Sequence, residues 1–290
     1  MTTDPLAVEF QSNWLDVLQS PFMQNALIGG SLVAVAAGLL GYFVITRQNA
    51  FAAHALAHIG FPGATGAILV GAPVTLGLAV FCVAGGLLIG LFGRRVADRE
   101  MATGTILALA TALGVLFASL ASANAGTTTS VLFGNLLAIS RDQLLVFGAF
   151  TAFVVLTLAV LARPLVFASV DPAVAEARGV PVRALGLAFV VLLALTITMA
   201  VQVVGTLLLF ALVVTPAATA LRLTARPIRV AALAVALALG SVWGGLVLSA
   251  MVDLSPSFFI VSLAVLAWVA VLAITGGPRP RPPVDTHHPH

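Results

Sequence analysis

Apolar stretches long enough to cross a bilayer follow one another through this chain with few residues between them. A spanning helix needs about 17–25 apolar residues. Runs of that kind lie at 22–46, 51–70, 73–92, 102–122, 143–166, 184–203, 204–222, 230–252 and 257–275. Little remains for a water-facing surface, since 61% of the 290 residues are hydrophobic and 8% are charged. In lipid the backbone must satisfy its own hydrogen bonds. The expected fold is therefore an all-α, polytopic transmembrane helical bundle. Runs two and three nearly touch, as do six and seven. One of these is a candidate for a broken or re-entrant segment, so an eight-span reading stands beside the nine-span one.

All 13 basic residues are arginines, placed at the ends of the apolar runs. Arginine-rich loops stay in the cytoplasm. With nine spans and the N-terminus outside, Arg47, Arg94, Arg95, Arg99, Arg163, Arg178, Arg183, Arg222, Arg226, Arg229, Arg279 and Arg281 are all cytoplasmic. Only Arg141 falls outside. The expectation is N-terminus outside and C-terminus cytoplasmic. Residues 1–21 read as an extracytoplasmic amphipathic segment with Trp14 at the interface, although a frayed terminus fits as well. Residues 22–275 form the transmembrane domain. Residues 276–290 are Pro-rich and aperiodic, a disordered cytoplasmic tail whose His287, His288 and His290 are better read as solvated than as a metal site.

The absence of lysine excludes a chemistry. A phosphate-cradling GxxxxGK[ST] loop cannot be written without it, so this chain is not an ATPase by itself. Cys82, the single cysteine, excludes disulfides and cysteine-based metal sites. Asp4, Glu9 and Asp16, with no basic cluster before the first run, make a cleaved signal peptide unexpected.

Against this apolar background His54 and His58 stand out in FAAHALAHIGF. Four residues apart on a helix, both imidazoles lie on one face, close enough to hold one metal ion. Ionisable side chains inside a membrane segment are costly and so are candidates for function. Rings hydrogen-bonded to neighbouring helices also fit, because HxxxH alone is a weak motif. HALAH lacks the Glu of HExxH, which argues against an intramembrane metalloenzyme. The pair lies 7 and 11 residues beyond Arg47, roughly 10–16 Å deep if that stretch is helical throughout. Helix–helix hydrogen bonds account more simply for Asn49, Gln202, Thr215 and Ser249. Asp253 and Asn124 are placed near the outer surface.

Two further segments carry shape. In VDPAVAEARGVPVRA, Asp171 can cap a short helix, Pro172 suits its first position, and Gly179 suits a left-handed C-terminal turn. Glu176 and Arg178 make it amphipathic. Such a helix suits the docking of a soluble partner; an ordinary connecting loop fits too. In VQVVGTLLLFALVVTPAATALRL, Gly205 and Pro216 punctuate a stretch rich in small residues. A kinked helix along a path or interface fits this pattern, as does passive packing.

VVGTLLLFALVVTPAATA resembles the signature of the zinc and manganese ABC transporter permeases, the ABC-3 family. RQNAFAAHALAHIGFPGA, SVLFGNLLAIS and DPAVAEARGV match other family segments in the same order, and the resemblance runs from about residue 22 to 275. It implies the plasma-membrane permease subunit of an importer, a homodimer that moves Zn²⁺ or Mn²⁺ and holds no permanent cofactor. Its partners would be cytoplasmic ABC ATPase subunits, which bind the ATP, and an extracytoplasmic metal-binding protein. Residues Asp171, Pro172, Glu176, Arg178 and Gly179 would belong to the coupling helix, and Gly205 and Pro216 to the kinked path helix. His58 matches the family's metal-path histidine, whereas His54 stands where the family has an Asp. Two imidazoles favour Zn²⁺ over the Mn²⁺ that a carboxylate suits, and imidazolium cannot ligate, so binding competes with protons. The alternative is a secondary transporter or channel for divalent metal ions, against which the lack of intramembrane carboxylates speaks.

Overall fold

The computed structural model describes residues 14–92, 96–120, 134–206, 209–252 and 254–276. Within them the chain forms α1 (Trp14–Gln19), α2 (Pro21–Thr46), α3 (Ala50–Val70), α4 (Val74–Phe92), α5 (Val96–Leu120), α6 (Arg141–Val170), α7 (Pro172–Ala177), α8 (Val182–Val204), α9 (Leu209–Val213), α10 (Thr215–Leu223), α11 (Pro227–Val252) and α12 (Pro256–Thr275). One 3-10 turn, Leu136–Ala138, precedes α6. Of the amphipathic N-terminal segment, residues 14–19 are α1; residues 1–13 and the tail beyond 276 lie outside the described residues, as do Asn124 and Asp253.

Eight helices, α2 to α6, α8, α11 and α12, are long and apolar enough to cross a membrane. The run 204–222 is not a continuous ninth helix. Gly205 ends α8 with φ 86° and ψ 166°, a backbone conformation that side chains disfavour. Helix resumes only as α9 and α10, with Pro216 in the first turn of α10. This broken segment still runs from one end of the bundle to the other. Gly30 packs on Val242 and Gly38 on Val235, so α2 and α11 are antiparallel and Arg47 shares an end with Arg226. Gln202 lies at the opposite end, bonded to Thr75, Asn135 and Gln143. The passage from Gln202 to Arg226 therefore traverses the bundle.

α2, α3 and α8 are the buried centre. The outer helices turn large apolar side chains outward: Leu145, Leu156 and Val160 of α6 are 75%, 66% and 77% exposed. On a soluble protein such a surface would aggregate; on a multi-pass membrane protein it faces lipid. Thr151 and Thr75 donate across to other helices, to the Leu32 carbonyl and Gln202 Oε1, but several hydroxyls within the spans turn back on their own. Thr46, Thr65, Thr198, Thr219 and Ser241 each donate to a carbonyl one turn earlier, which satisfies them without a partner helix.

Close helix crossings rest on glycine, the small-residue packing that membrane helices use. Gly63 of α3 and Gly77 of α4 meet backbone to backbone, and a Cβ on either would overlap the other's carbonyl oxygen. Backbone cannot swing away as a long side chain can. Gly77→Val is expected to lower stability by about 2 kcal/mol or more, read as a fall in thermal midpoint of the detergent-solubilised protein. A midpoint equal to wild type would disprove the tight crossing.

Candidate functional site

The α2–α3 turn sets the height of the site. Gln48 adopts φ 53°, unusual for a non-glycine residue, and Asn49 N–H donates to the Val44 carbonyl at 2.8 Å. A guanidinium Nη2 of Arg99 donates to the carbonyls of Arg47 and Gln48 at 3.3 and 3.1 Å, tying α5 to this turn. The stretch after Arg47 is therefore not helical throughout: α3 begins at Ala50. His54 and His58 lie 4 and 8 residues into it, about 6 and 12 Å from its start at 1.5 Å per residue. Their depth is counted from the start of α3 and not from Arg47.

α3 lacks an 18-residue stretch as hydropathic as those in the other seven long helices. It tolerates two histidines because most of its surface is covered. Ala52, Ala53, Ala55, Leu56, Ala57 and Ile59 are buried, while His54 and His58 are half-buried on a stripe continued by the exposed Phe51. The imidazoles stand edge to face with ring centroids 4.9 Å apart. Phe210 of α9 meets the His54 ring at 6.2 Å. Among the described residues neither imidazole makes a hydrogen bond. The reading in which these rings serve as helix–helix hydrogen-bonding groups thus loses its support, and their nitrogens are free to ligate. Pro62, one turn on, lacks the N–H that would bond the His58 carbonyl, so α3 is perturbed where the pair sits.

Beside His54, α9 meets α3 through Phe210, and α10 follows it in the chain. Phe210 is exposed, and Thr215, Ala218, Leu221 and Arg222 are half-buried, while Val213, Pro216, Ala217, Thr219 and Ala220 turn inward. The inward side packs against α2, where a Cβ on Gly41 would come within 2.5 Å of the Val213 carbonyl oxygen. Gly205 and Pro216 thus flank α9, the short helix beside His54; Gly205 itself lies at the far end.

That far end is tied together by Gln202, expected from the sequence to hydrogen-bond between helices. Its side-chain oxygen accepts from Thr75 Oγ1 at 2.9 Å and Gln143 Nε2 at 3.3 Å, its Nε2 donates to the Thr198 carbonyl at 3.0 Å, and its own carbonyl accepts from Asn135 N–H at 3.1 Å. Gln143 is held in turn by a reciprocal cap with Ser140. Gly134 fits against this knot with φ 77°, where a Cβ would lie 2.5 Å from the Val203 oxygen. The other polar residues have local roles: Ser249 donates to the Leu254 carbonyl, and Thr215 supplies the carbonyl that accepts from Thr219.

Residues 171–179 form a separate feature at the arginine-rich end. Asp171 Oδ1 accepts from Val174 N–H at 3.0 Å, Pro172 occupies the first turn, and Gly179 adopts φ 80°. Ala175 is buried and anchors α7, while Pro172, Val174, Glu176, Arg178 and Gly179 are exposed. Among the described residues no group of three or more His, Cys, Asp or Glu side chains gathers around a point that could hold a metal. Cys82 is buried, its thiol toward the Leu56 carbonyl at 3.4 Å on the other side of α3. Among the described residues the two imidazoles therefore have no third His, Cys, Asp or Glu grouped with them.

Comparison with known proteins agrees with this architecture. Residues 19–275 match the ABC 3 transport family. The chain is 32% identical over 249 residues to a manganese transport system membrane protein of Halalkalibacterium halodurans, covering 86% of this chain and 85% of the relative. It is 32% identical over 211 residues to a manganese import system permease protein of Streptococcus parasanguinis, covering 72% and 75%. Among solved structures it resembles PsaBC from Streptococcus pneumoniae in complex with Fab, with a TM-score of 0.80, 27% identity, and coverage of 90% of this chain and 95% of that one.

Proposed function

The chain belongs to the ABC 3 transport family, and we propose that it is the plasma-membrane permease of an ATP-driven importer that carries a divalent transition metal past His54 and His58. The observation that carries this reading is the pair of imidazoles, half-buried on an open stripe, with ring centroids 4.9 Å apart and no hydrogen bond among the described residues. The exposed Phe51 and Phe210 on the same face suit a second copy of this chain. Two chains about a twofold axis would bring four imidazoles together, the number zinc sites commonly use. The arginine-rich end faces the cytoplasm under the positive-inside rule, which puts the N-terminus outside and α7 where an ATPase subunit docks. A binding protein would deliver metal at the Gln202 end.

A gradient-driven carrier or channel is the weaker reading. The carboxylates of the described spanning helices, Asp98, Glu100 and Asp142, all sit at helix starts rather than within the apolar interior. Uptake into vesicles holding the permease with its ATPase and binding protein separates the two: the proposed function requires ATP, and uptake driven by an ion gradient alone would refute it.

Zinc is the first choice of cargo, because neutral imidazoles with no carboxylate suit it; the manganese named in the relatives makes that ion the second. His54→Asp is expected to shift the zinc-to-manganese uptake ratio toward manganese by about tenfold, the scale of a single-ligand change in a site. An unchanged ratio would take His54 out of selectivity.

A further inference from the structure

On the face of α3 opposite the histidines, a cavity of about 500 Å³ opens at the arginine-rich end. At 100° per residue, Leu56 in its wall lies about 160° around the helix from both His54 and His58, so the cavity is separate from the proposed metal path. Arg47, Arg99 and Arg183 line it together with Asn49. Its depth is apolar: Leu56 and Leu193 lie about two and three turns along their helices from that end, and Ile89 is nearer the mouth.

Among the described residues no carboxylate forms an ion pair with these arginines. Arg47 Nη1 donates to Ser169 Oγ at 3.3 Å and its guanidinium lies 5.5 Å from the centre of the Phe189 ring. Arg99 donates to two backbone carbonyls. Arg183 makes no hydrogen bond among the described residues, and the exposed Glu100 acts on Arg99 through its charge without an ion pair. Burial first, and then the charge of Arg99, hold the Arg47 guanidinium below its ordinary pKa. Three like charges around one partly enclosed space call for an anion.

We propose that this cavity holds one anionic phospholipid, its phosphodiester among Arg47, Arg99 and Arg183 and part of an acyl chain along Leu56, Ile89 and Leu193. Basic pockets between membrane helices bind such headgroups. Free phosphate, or an acidic side chain of a docked subunit, offers the same charge but leaves the apolar depth unfilled. The lipid matches both halves.

Native mass spectrometry of the full-length permease, exchanged into phosphatidylglycerol and phosphatidylcholine mixtures, tests this. Wild type is expected to retain one phosphatidylglycerol and to discard phosphatidylcholine. Arg183→Gln, which removes no internal contact, should weaken retention about fivefold, and Arg47→Gln with Arg183→Gln about 25-fold. The variants' elution profiles should match wild type, and a misfolded double variant leaves the single one to decide. Equal retention in Arg183→Gln, or of both lipids, overturns the proposal. So does thermal stabilisation by inorganic phosphate alone equal to that by phosphatidylglycerol, or loss of the lipid when the ATPase subunit binds.

Discussion

His58→Ala should abolish ATP-driven metal uptake while leaving a folded permease. The fold has little reason to notice the change. His58 is half-buried, makes no hydrogen bond among the described residues, and sits between Ala57 and Ile59 in a helix that alanine suits. The proposed path has every reason to notice, because each chain contributes only two imidazoles and no third ligand is at hand among the described residues. Removing an outer-shell partner of a metal typically costs about 10–100-fold, and removing a ligand should cost at least that. Uptake of zinc and of manganese, measured in vesicles with the ATPase and binding protein present, should fall to background, with size-exclusion profile and ATPase co-purification unchanged. Retained uptake would remove His58 from the path. His54→Ala in the same assay ranks the two rings, since His54 also packs against Phe210 and its loss disturbs α9.

How much of this was legible in the sequence depends on how local the cause is. The eight long helices follow from length and apolarity alone, and the shared face of His54 and His58 follows from helical spacing. The cap at Asp171, the proline at 172 and the left-handed Gly179 were readable because each acts within a few residues. The break after Gly205 was only half legible. A glycine and a proline mark trouble in a helix, but that the chain does not simply continue α8 depends on Gly134 packing against Val203 from a distant segment. The condition on the depth of the histidines, unbroken helix from Arg47, fails for a similar reason: the left-handed Gln48, its carbonyl bonded by Arg99 from α5, lies between the end of α2 and the start of α3. The helix–helix hydrogen bonding expected of Gln202 is found, but a lone glutamine in an apolar helix says nothing of Thr75, Asn135 and Gln143 converging on it. Phe210 beside His54 and the three-arginine cavity likewise exist only once α3, α5, α8 and α9 are packed.

Gly179→Pro combined with Glu176→Arg should uncouple the permease from ATP hydrolysis without touching the metal path. A Cβ added at Gly179 would meet nothing within 4 Å, so steric crowding is not the issue. Its backbone is: φ 80° lies far from the roughly −65° that proline imposes, and its N–H donates to the Glu176 carbonyl at 3.0 Å. Proline removes that bond and the turn that lets Val180 N–H reach the Ala175 carbonyl. α7 would lose its C-terminal stop, at a cost above about 1 kcal/mol, while α6 and α8 keep their own packing. Glu176→Arg reverses a charge on the exposed face that a docking subunit would meet. ATPase co-purification and ATP-driven uptake should both fall at least about tenfold, in the range that losing interface anchors produces, and metal binding by the permease should match wild type. Asp171→Ala gives the graded version, because losing the bond to Val174 N–H removes a cap worth about 1 kcal/mol and should weaken docking about fivefold. Full coupling in the double variant would reduce α7 to a connecting loop. Loss of metal binding along with uptake would mean instead that the substitutions had damaged the bundle, and Asp171→Ala, milder and confined to the helix start, would then decide whether α7 transmits the ATPase stroke.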